Sequence, residues 1–189
     1  MNDSQRKKGR LQFLLIAAIF FGPLLFAAWM YYSGGTLQPE SRANHGALLK
    51  PIVSLVDAVP GSRIHDSRSW RLLYANDGEC GDSCREALYA LRQSRLMLGK
   101  EMDRVERVFL HGDQAPDTLL VAEEHRGLIS LQDTALLALL GDRKPESLPA
   151  GGFYLIDPHG NLVMYFRPDI TPRDMVDDIK RLLKLSRIG

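Results

Sequence analysis

The chain has 189 residues, 45% of them hydrophobic and 25% charged, which is the size of one domain with an appendage. Its two cysteines are too few for a disulfide-stapled scaffold or a four-cysteine zinc site. The formal net charge is +1, but residues 1–10 hold four basic side chains and one acidic one, so the rest of the chain is net negative. A domain with that charge is a poor candidate for nucleic-acid binding, which needs a basic face.

Residues 11–32 form the first predicted element, a membrane-spanning helix. The run reads LQFLLIAAIFFGPLLFAAWMYY, and only Gln12 in it is clearly polar. At about 1.5 Å per residue the helix would be about 33 Å long, enough to cross a hydrocarbon core of about 30 Å. The alternative is a cleaved signal peptide, whose apolar core is typically shorter, about 7–15 residues. The pattern therefore favours an uncleaved anchor.

The distribution of charge predicts the orientation of this anchor. Basic residues precede it, so residues 1–10 should form a cytoplasmic tail. The remaining chain should lie outside the cytoplasmic (inner) membrane, in the periplasm of a Gram-negative cell or its equivalent, where disulfide bonds can form. Residues 33–44, SGGTLQPESRAN, are typical of a linker, and residues 45–189 should form the exported domain.

The exported part shows alternating strand and helix signals. Residues 45–68 are semi-apolar with two prolines, and we predict them only as short extended pieces at a core edge. Apolar runs predict strands at residues 70–75 and 104–110. Between these strands, apolar residues at helical spacing predict a helix with Asp82 or Ser83 as its cap.

The C-terminal part carries the clearest signals. Residues 116–124 and 133–140 are predicted as helices, separated by a short apolar piece at 127–131. Two apolar runs then flank the sequence DPHG (157–160), which is typical of a type I turn in a hairpin. Thr171 should cap a final amphipathic helix. This order of elements predicts an α/β fold with a mixed sheet.

The two cysteines form the candidate functional motif, C-x-x-x-C. Cys80 and Cys84 follow a predicted strand and open a predicted helix, where i and i+4 positions share a face at about 6 Å, within reach of a disulfide. A helix amino terminus stabilises a thiolate, which suits thiol–disulfide exchange, and two thiolates also suit a soft metal such as Cu(I). Glu79 and Asp82 flank the pair, and nearby carboxylates raise the pKa of a thiol, which argues against a strongly activated thiolate. A structural disulfide is the third interpretation, although so small a loop gives little entropic stabilisation.

Residues 70–185 resemble the Sco family, through the strand, C-x-x-x-C and helix together with the later segment Y-L-I-D-P-x-G-x-x-x-x-Y-F (154–166). Sco proteins are membrane-anchored, thioredoxin-fold proteins of cytochrome c oxidase assembly. The resemblance implies a thioredoxin-like mixed sheet flanked by helices. It also implies oxidase subunits or other assembly factors as partners, and copper as a candidate cofactor held by Cys80 and Cys84.

Two positions depart from the Sco pattern. The family's third copper ligand is a histidine before the hairpin, and counting back from Gly160 places Pro149 there. The family's proline after the first cysteine is replaced by Gly81. Both departures weaken the expectation of a Sco-type copper site. Pro149 has a second interpretation, as the cis-proline that thioredoxin-like proteins place opposite their cysteines.

The remaining candidate residues are five histidines, none of which forms a pair with another at metal-ligand spacing. They are His45, His65, His111, His125 and His159.

The sequence leaves three functions open. The first is an oxidase-assembly accessory that acts by thiol–disulfide exchange through catalytic Cys80 and Cys84. The second is a Cu(I) metallochaperone that uses the same two thiolates with a ligand from elsewhere, and the third is a non-catalytic thioredoxin-fold binding module.

Overall fold

The computed structural model describes residues 3–32, 44–114 and 120–186. The predicted linker lies outside the described residues except for Asn44, and so do residues 116–119 of one predicted helix. The chain divides into two compact units, Met1–Arg42 and Ala43–Gly189, which are described separately.

The N-terminal unit contains one helix, α1 (Asp3–Tyr32). It includes the stretch Gln12–Met30, which is long and apolar enough to cross a membrane and has no buried residue. The helix continues through Pro23 and begins eight residues before the predicted span. Large apolar side chains such as Phe20 stand exposed along it, as lipid-facing side chains do.

The C-terminal unit is built on one six-stranded mixed sheet in the order β1-β6-β5-β2-β3-β4. The pairs β2–β3 and β3–β4 are parallel, whereas β1–β6, β6–β5 and β5–β2 are antiparallel. The strands are β1 (Ala47–Ser54), β2 (Trp70–Asn76), β3 (Val105–His111), β4 (Leu128–Gln132), β5 (Phe153–Ile156) and β6 (Asn161–Phe166). The α-helices are α2 (Leu55–Ala58), α3 (Asp82–Met97), α4 (Thr134–Arg143) and α5 (Pro172–Leu185).

Both faces of the sheet are covered. On one face Leu88 and Leu91 of α3 and Ile179 of α5 pack in a buried cluster with the inward side chains of the strands. On the other face Leu136 and Leu140 of α4 pack in a second cluster. The predicted thioredoxin-like arrangement, a mixed sheet flanked by helices, is therefore confirmed.

The predicted hairpin and final helix are also confirmed. The Gly160 N–H donates to the Asp157 carbonyl over 3.0 Å, and Gly160 has φ of +83°, a conformation that side chains rarely adopt. Thr171 Oγ1 accepts from the Asp174 N–H, and Pro172 occupies the first turn of α5.

Two strands lie where no strand was assigned. The unassigned segment contains β1, an edge strand paired only with β6 among the described strands, whose register is broken by a bulge between Leu48 and Val53. The apolar piece at 127–131 is β4, the opposite edge. Of the predicted helix at 116–124, the described part is a single π-helical turn, Leu120–Glu124.

Candidate functional site

Cys80 and Cys84 form a disulfide with a Cα–Cα distance of 5.1 Å. The pair lies where β2 ends and α3 begins, as the sequence predicts. The local geometry differs from the prediction in two details. Cys80 precedes the helix instead of lying within it, and the N-cap is Gly81, not Asp82 or Ser83. The predicted cap was wrong because the chain enters the helix one residue earlier, at a residue that has no side chain.

The two sulfurs occupy different environments. Cys84 is 2% exposed and belongs to the buried cluster beneath α3, whereas Cys80 is half-buried and packs against that cluster from outside. Cys80 is therefore the sulfur that an incoming thiol or disulfide reaches first. Thiol–disulfide exchange depends on this accessibility as well as on the thiolate fraction.

The amino terminus of α3 supplies donors for a thiolate. The N-cap residue, Gly81, has no side chain, so no cap side chain accepts hydrogen bonds from the N–H groups of the first helical turn. Cys84 is the third residue of the helix, close to the positive end of its dipole. A reduced Cys80 or Cys84 would accept from these groups, which lowers a thiol pKa.

The loop that carries Cys80 is fixed by Asn76, the last residue of β2. Asn76 Nδ2 donates to the Gly78 carbonyl over 3.0 Å and to the Glu79 carbonyl over 3.4 Å. Gly112, which follows β3, also faces this loop, because a Cβ there would overlap the carboxylate of Asp77. Sequence patterns did not identify Asn76, because its role depends on the carbonyls that fold back to meet it.

An aromatic group lies in the same buried cluster as Cys84. The rings of Tyr74 and Phe109 stack at 5.9 Å, and Tyr74 meets Phe153 at 5.8 Å. Burial raises the pKa of Tyr74, so its phenol stays neutral at physiological pH. Cys84 therefore belongs to a buried apolar cluster that includes these three rings.

Acidic side chains surround the motif at its surface. Glu79 and Asp82 are both exposed, and so is the nearest cation, Arg85. Water screens exposed charges, so the interaction of these groups with the sulfurs is weakened.

Strand register determines which histidines lie near the cysteines. Tyr74 near the end of β2 pairs with Phe153 at the start of β5, whereas Arg71 pairs with Ile156. The carboxyl ends of β2 and β3 and the amino end of β5 therefore share one end of the sheet, which we call the cysteine end. The β5–β6 turn lies at the other end.

Three of the five histidines lie away from the cysteine end. His159 is in the β5–β6 turn, and His65 lies beside Gly160 of the same turn. His125 precedes β4, whose Leu128 pairs with Arg107 in the amino-terminal half of β3. His65 Nε2 is 3.0 Å from the Val59 carbonyl, which gives that histidine a structural partner.

His45 and His111 lie at the cysteine end. His45 precedes the edge strand β1 and faces Asp174 at 3.7 Å. His111 ends β3, pairs in register with Asn76, and is 6% exposed. Its Nδ1 is 2.8 Å from the Gly112 carbonyl, an oxygen that only accepts, so Nδ1 carries the proton and Nε2 keeps a lone pair in the neutral ring. His111 is thus the histidine best placed to act with the cysteines.

Pro149 has a structural role in place of the cis-proline role that the sequence suggested. The cis-proline interpretation is wrong, because Lys50–Pro51 is the one cis peptide bond among the described residues. The Pro149 carbonyl instead accepts from the Tyr165 hydroxyl over 2.6 Å, and the Gly152 N–H donates to the same hydroxyl over 3.0 Å. Tyr165 therefore fastens the segment before β5.

The donor set does not complete a three-ligand copper site. Within the described residues, no group of three His, Cys, Asp or Glu side chains is placed to hold a metal ion. Cys80 and Cys84 would provide two soft donors after reduction, and Pro149 provides none. The residues present therefore fit dithiol chemistry better than a Sco-type copper centre.

Two family models match the chain. The C-terminal domain model described as transmembrane-like, thioredoxin-like matches residues 70–186, and the transmembrane-like N-terminal domain model matches residues 3–34. The second match agrees with α1 as a single membrane anchor. No curated protein sequence matches significantly.

Solved Sco structures share the fold. Apo Sco1 from Thermus thermophilus is 19% identical with a TM-score of 0.53 and covers 76% of this chain and 99% of its own. Copper-bound ScoI from Arabidopsis thaliana is 20% identical with a TM-score of 0.49, and the match covers 64% of this chain and 87% of that chain. BsSco, described as having a disulfide switch and as a member of the Sco family of cytochrome c oxidase assembly proteins, is 17% identical with a TM-score of 0.47, covering 64% and 83%. This chain is similar in fold to the Sco proteins, and it belongs to the transmembrane-like, thioredoxin-like family.

Proposed function

We propose that this protein is an accessory factor for cytochrome c oxidase assembly that acts by thiol–disulfide exchange through Cys80 and Cys84. The observation that carries the proposal is the asymmetric disulfide at the start of α3, with a half-buried Cys80 and a 2% exposed Cys84. An accessible attacking sulfur and a protected resolving sulfur suit two-step exchange.

The proposed reaction is a two-electron exchange. In the reduced chain the Cys80 thiolate attacks a partner disulfide, forms a mixed disulfide and releases one partner thiolate. The Cys84 thiolate then attacks Cys80 sulfur, which releases the second partner thiolate and leaves the Cys80–Cys84 disulfide. The partner gains two electrons and the chain loses two. The reverse sequence oxidises a partner dithiol through the same intermediate.

The sequence resemblance to Sco proteins supports the choice of partner. Copper sites in oxidase subunits with cysteine ligands need those cysteines reduced before metal enters, because the thiolate is the ligand. We place the domain on the extracytoplasmic side of the inner membrane, since the basic block precedes the anchor. A tethered dithiol on that side would act on oxidase cysteines exposed there.

Redox equilibration tests this function. The full-length chain in a neutral detergent is equilibrated with glutathione buffers, and the oxidised fraction is measured by thiol labelling. An exchanging pair should have a reduction potential above about −300 mV and should reduce a model disulfide. A lower potential together with no exchange would indicate a purely structural bond and would contradict the proposal.

Copper(I) carriage is the second candidate, favoured by the proximity of the two sulfurs. Because no group of three metal ligands is assembled among the described residues, we expect the reduced chain to lose Cu(I) to a competing chelator such as bathocuproine disulfonate. Retention of one Cu(I) per chain would favour the metallochaperone instead. His111→Gln would then show whether His111 provides the third ligand, with His159→Gln at the other end of the sheet as the matched control.

A further inference from the structure

A cavity opens at the end of the sheet opposite the cysteines. It has a volume of about 370 Å³ and lies between the carboxyl-terminal half of α3, the amino-terminal half of β3 and the turn before β4. We call it the arginine cavity. Four arginines and two glutamates line it, an excess of two positive charges: Arg92, Arg95, Arg107, Arg126, Glu123 and Glu124.

Arg107 on β3 is the buried member of this set. Its side chain is 4% exposed, although an arginine remains charged under all physiological conditions. Its Nη2 donates to the Arg126 carbonyl, whereas Nε and Nη1 are buried with no hydrogen-bond partner among the described residues. Buried guanidinium donors without acceptors are costly, and Arg107 differs from other such groups because it lines a cavity that an acceptor can enter.

The charges around Arg107 strengthen this interpretation. Burial lowers the pKa of Arg107 first, and the positive charges of Arg95 and Arg92 lower it further. Arg71 in the same sheet is also buried, with its own Nε and Nη1 unpartnered, but three carboxylates, Glu106, Asp157 and Asp66, raise its pKa. Among the described residues, no carboxylate acts on Arg107 in the same way.

The acidic residues near the cavity do not supply that charge. Glu123 and Glu124 are exposed, and neither forms an ion pair with a cavity arginine among the described residues. Asp103 pairs with Arg95 at 3.5 Å, and Arg95 also donates to the Val105 carbonyl over 2.9 Å. Arg95 is thus satisfied, and the open donors belong to Arg107.

We propose that the arginine cavity binds a phosphate-class oxyanion. Guanidinium groups bind phosphate through charge-assisted hydrogen bonds, and the unpartnered Nε and Nη1 of Arg107 are donors for such bonds. The exposed Arg92 of α3 would add a second cation at the cavity mouth. The volume accommodates a small ligand or the headgroup of an anionic phospholipid.

The site is separate from the disulfide. Arg92 follows Cys84 by eight residues in α3, which corresponds to about 12 Å along the helix. Oxyanion binding is therefore expected to persist in the double variant Cys80→Ser/Cys84→Ser. If the redox proposal fails, the phosphate-binding inference still stands. If phosphate does not bind, the redox proposal still stands.

Titration with inorganic phosphate tests the proposal on the full-length chain in a neutral detergent at constant ionic strength. Phosphate should bind with saturation, and Arg107→Gln should weaken the affinity about tenfold or more through loss of charge-assisted hydrogen bonds. Lys180→Gln is the matched control, because it removes one positive charge from a different basic pocket near Lys100 and Lys184. Equal weakening by both variants, or no saturable binding in the unsubstituted chain, would overturn the proposal.

Two further measurements keep the test decisive. If Arg107→Gln fails to fold, Arg92→Gln replaces it, since Arg92 is exposed on α3 and its loss should still weaken binding several-fold. Phosphate should also raise the pKa of His125, which burial and the charges of Arg107 and Arg92 lower from 6.5. An unchanged affinity in Arg92→Gln together with an unchanged His125 titration would refute the site.

Lipid nanodiscs distinguish the two sources of the anion. In discs of phosphatidylcholine alone, free phosphate should bind with the affinity measured in detergent. If a phospholipid headgroup is the natural occupant, adding phosphatidylglycerol to the disc should weaken the apparent phosphate affinity by competition. An unchanged affinity would assign the site to a soluble phosphate compound. Either result supports the oxyanion site, provided that Arg107→Gln removes the binding.

Discussion

Replacement of Cys80 with serine should reduce thiol–disulfide exchange to the rate measured without protein. Serine cannot form the mixed disulfide, and the remaining Cys84 thiol is 2% exposed and out of reach of a large partner. Cys84→Ser should behave differently, because the accessible Cys80 still attacks but no resolving sulfur follows. That variant should accumulate a stable mixed disulfide, detectable as a mass increase that a reductant reverses.

Ser83→Ala is the matched control for both cysteine variants. Ser83 lies between the cysteines and is exposed, so its substitution preserves both thiols and should leave exchange unchanged. The double variant Cys80→Ser/Cys84→Ser extends the test to the cell. If oxidase assembly stays intact in a strain that carries it, the protein acts as a non-catalytic binding module and the exchange function is wrong.

Gly152→Ala should destabilise the domain strongly, although it adds only one methyl group. A Cβ at residue 152 would overlap the carbonyl oxygen of Phe166 and crowd the Tyr165 hydroxyl, and a backbone carbonyl in the sheet cannot move aside. Overpacking of this kind costs about 1–3 kcal/mol. That is a large share of the roughly 5–15 kcal/mol by which a typical domain is stable.

Urea unfolding of the full-length chain, followed through the buried Trp70, provides the measurement. Gly61→Ala is the control, because a Cβ there meets nothing within 4 Å and should change the free energy of unfolding by less than about 0.5 kcal/mol. If the Gly152→Ala protein is as stable as the Gly61→Ala protein, the prediction is contradicted. The segment before β5 would then not be held in place by the hydrogen bonds of Tyr165.

Elements with strong local signals could be predicted from the sequence. The turn sequence DPHG fixes a hairpin by turn chemistry, and Thr171 with Pro172 marks a helix start. β1 was predicted only as an unassigned extended piece at a core edge, because only Leu49 in it is buried and it shows no alternation of apolar residues. β4 is five residues long and too short for its pattern to separate strand from helix.

Only part of the candidate site could be predicted, because only part of it depends on residues that are close together in the sequence. Cys80 and Cys84 are close in sequence, so their spacing alone predicted that a disulfide could join them. Asn76 and His111 reach the site only because β2 and β3 are parallel and in register, a long-range fact that no local pattern contains. Arg107 lies in a strand that was predicted from its apolar residues alone, and the cavity beside it forms only when α3 and the turn before β4 are in place.

The two outer strands have a consequence for how copies of the protein coexist on a membrane. Anchored domains are concentrated in two dimensions, and exposed strand edges under such crowding invite intermolecular pairing and aggregation. β1 carries Pro51, which lacks an N–H donor, and a bulge that interrupts its ladder. The opposite edge, β4, is only five residues long. Both edges should therefore be poor templates for strand pairing with a neighbouring chain at high surface density.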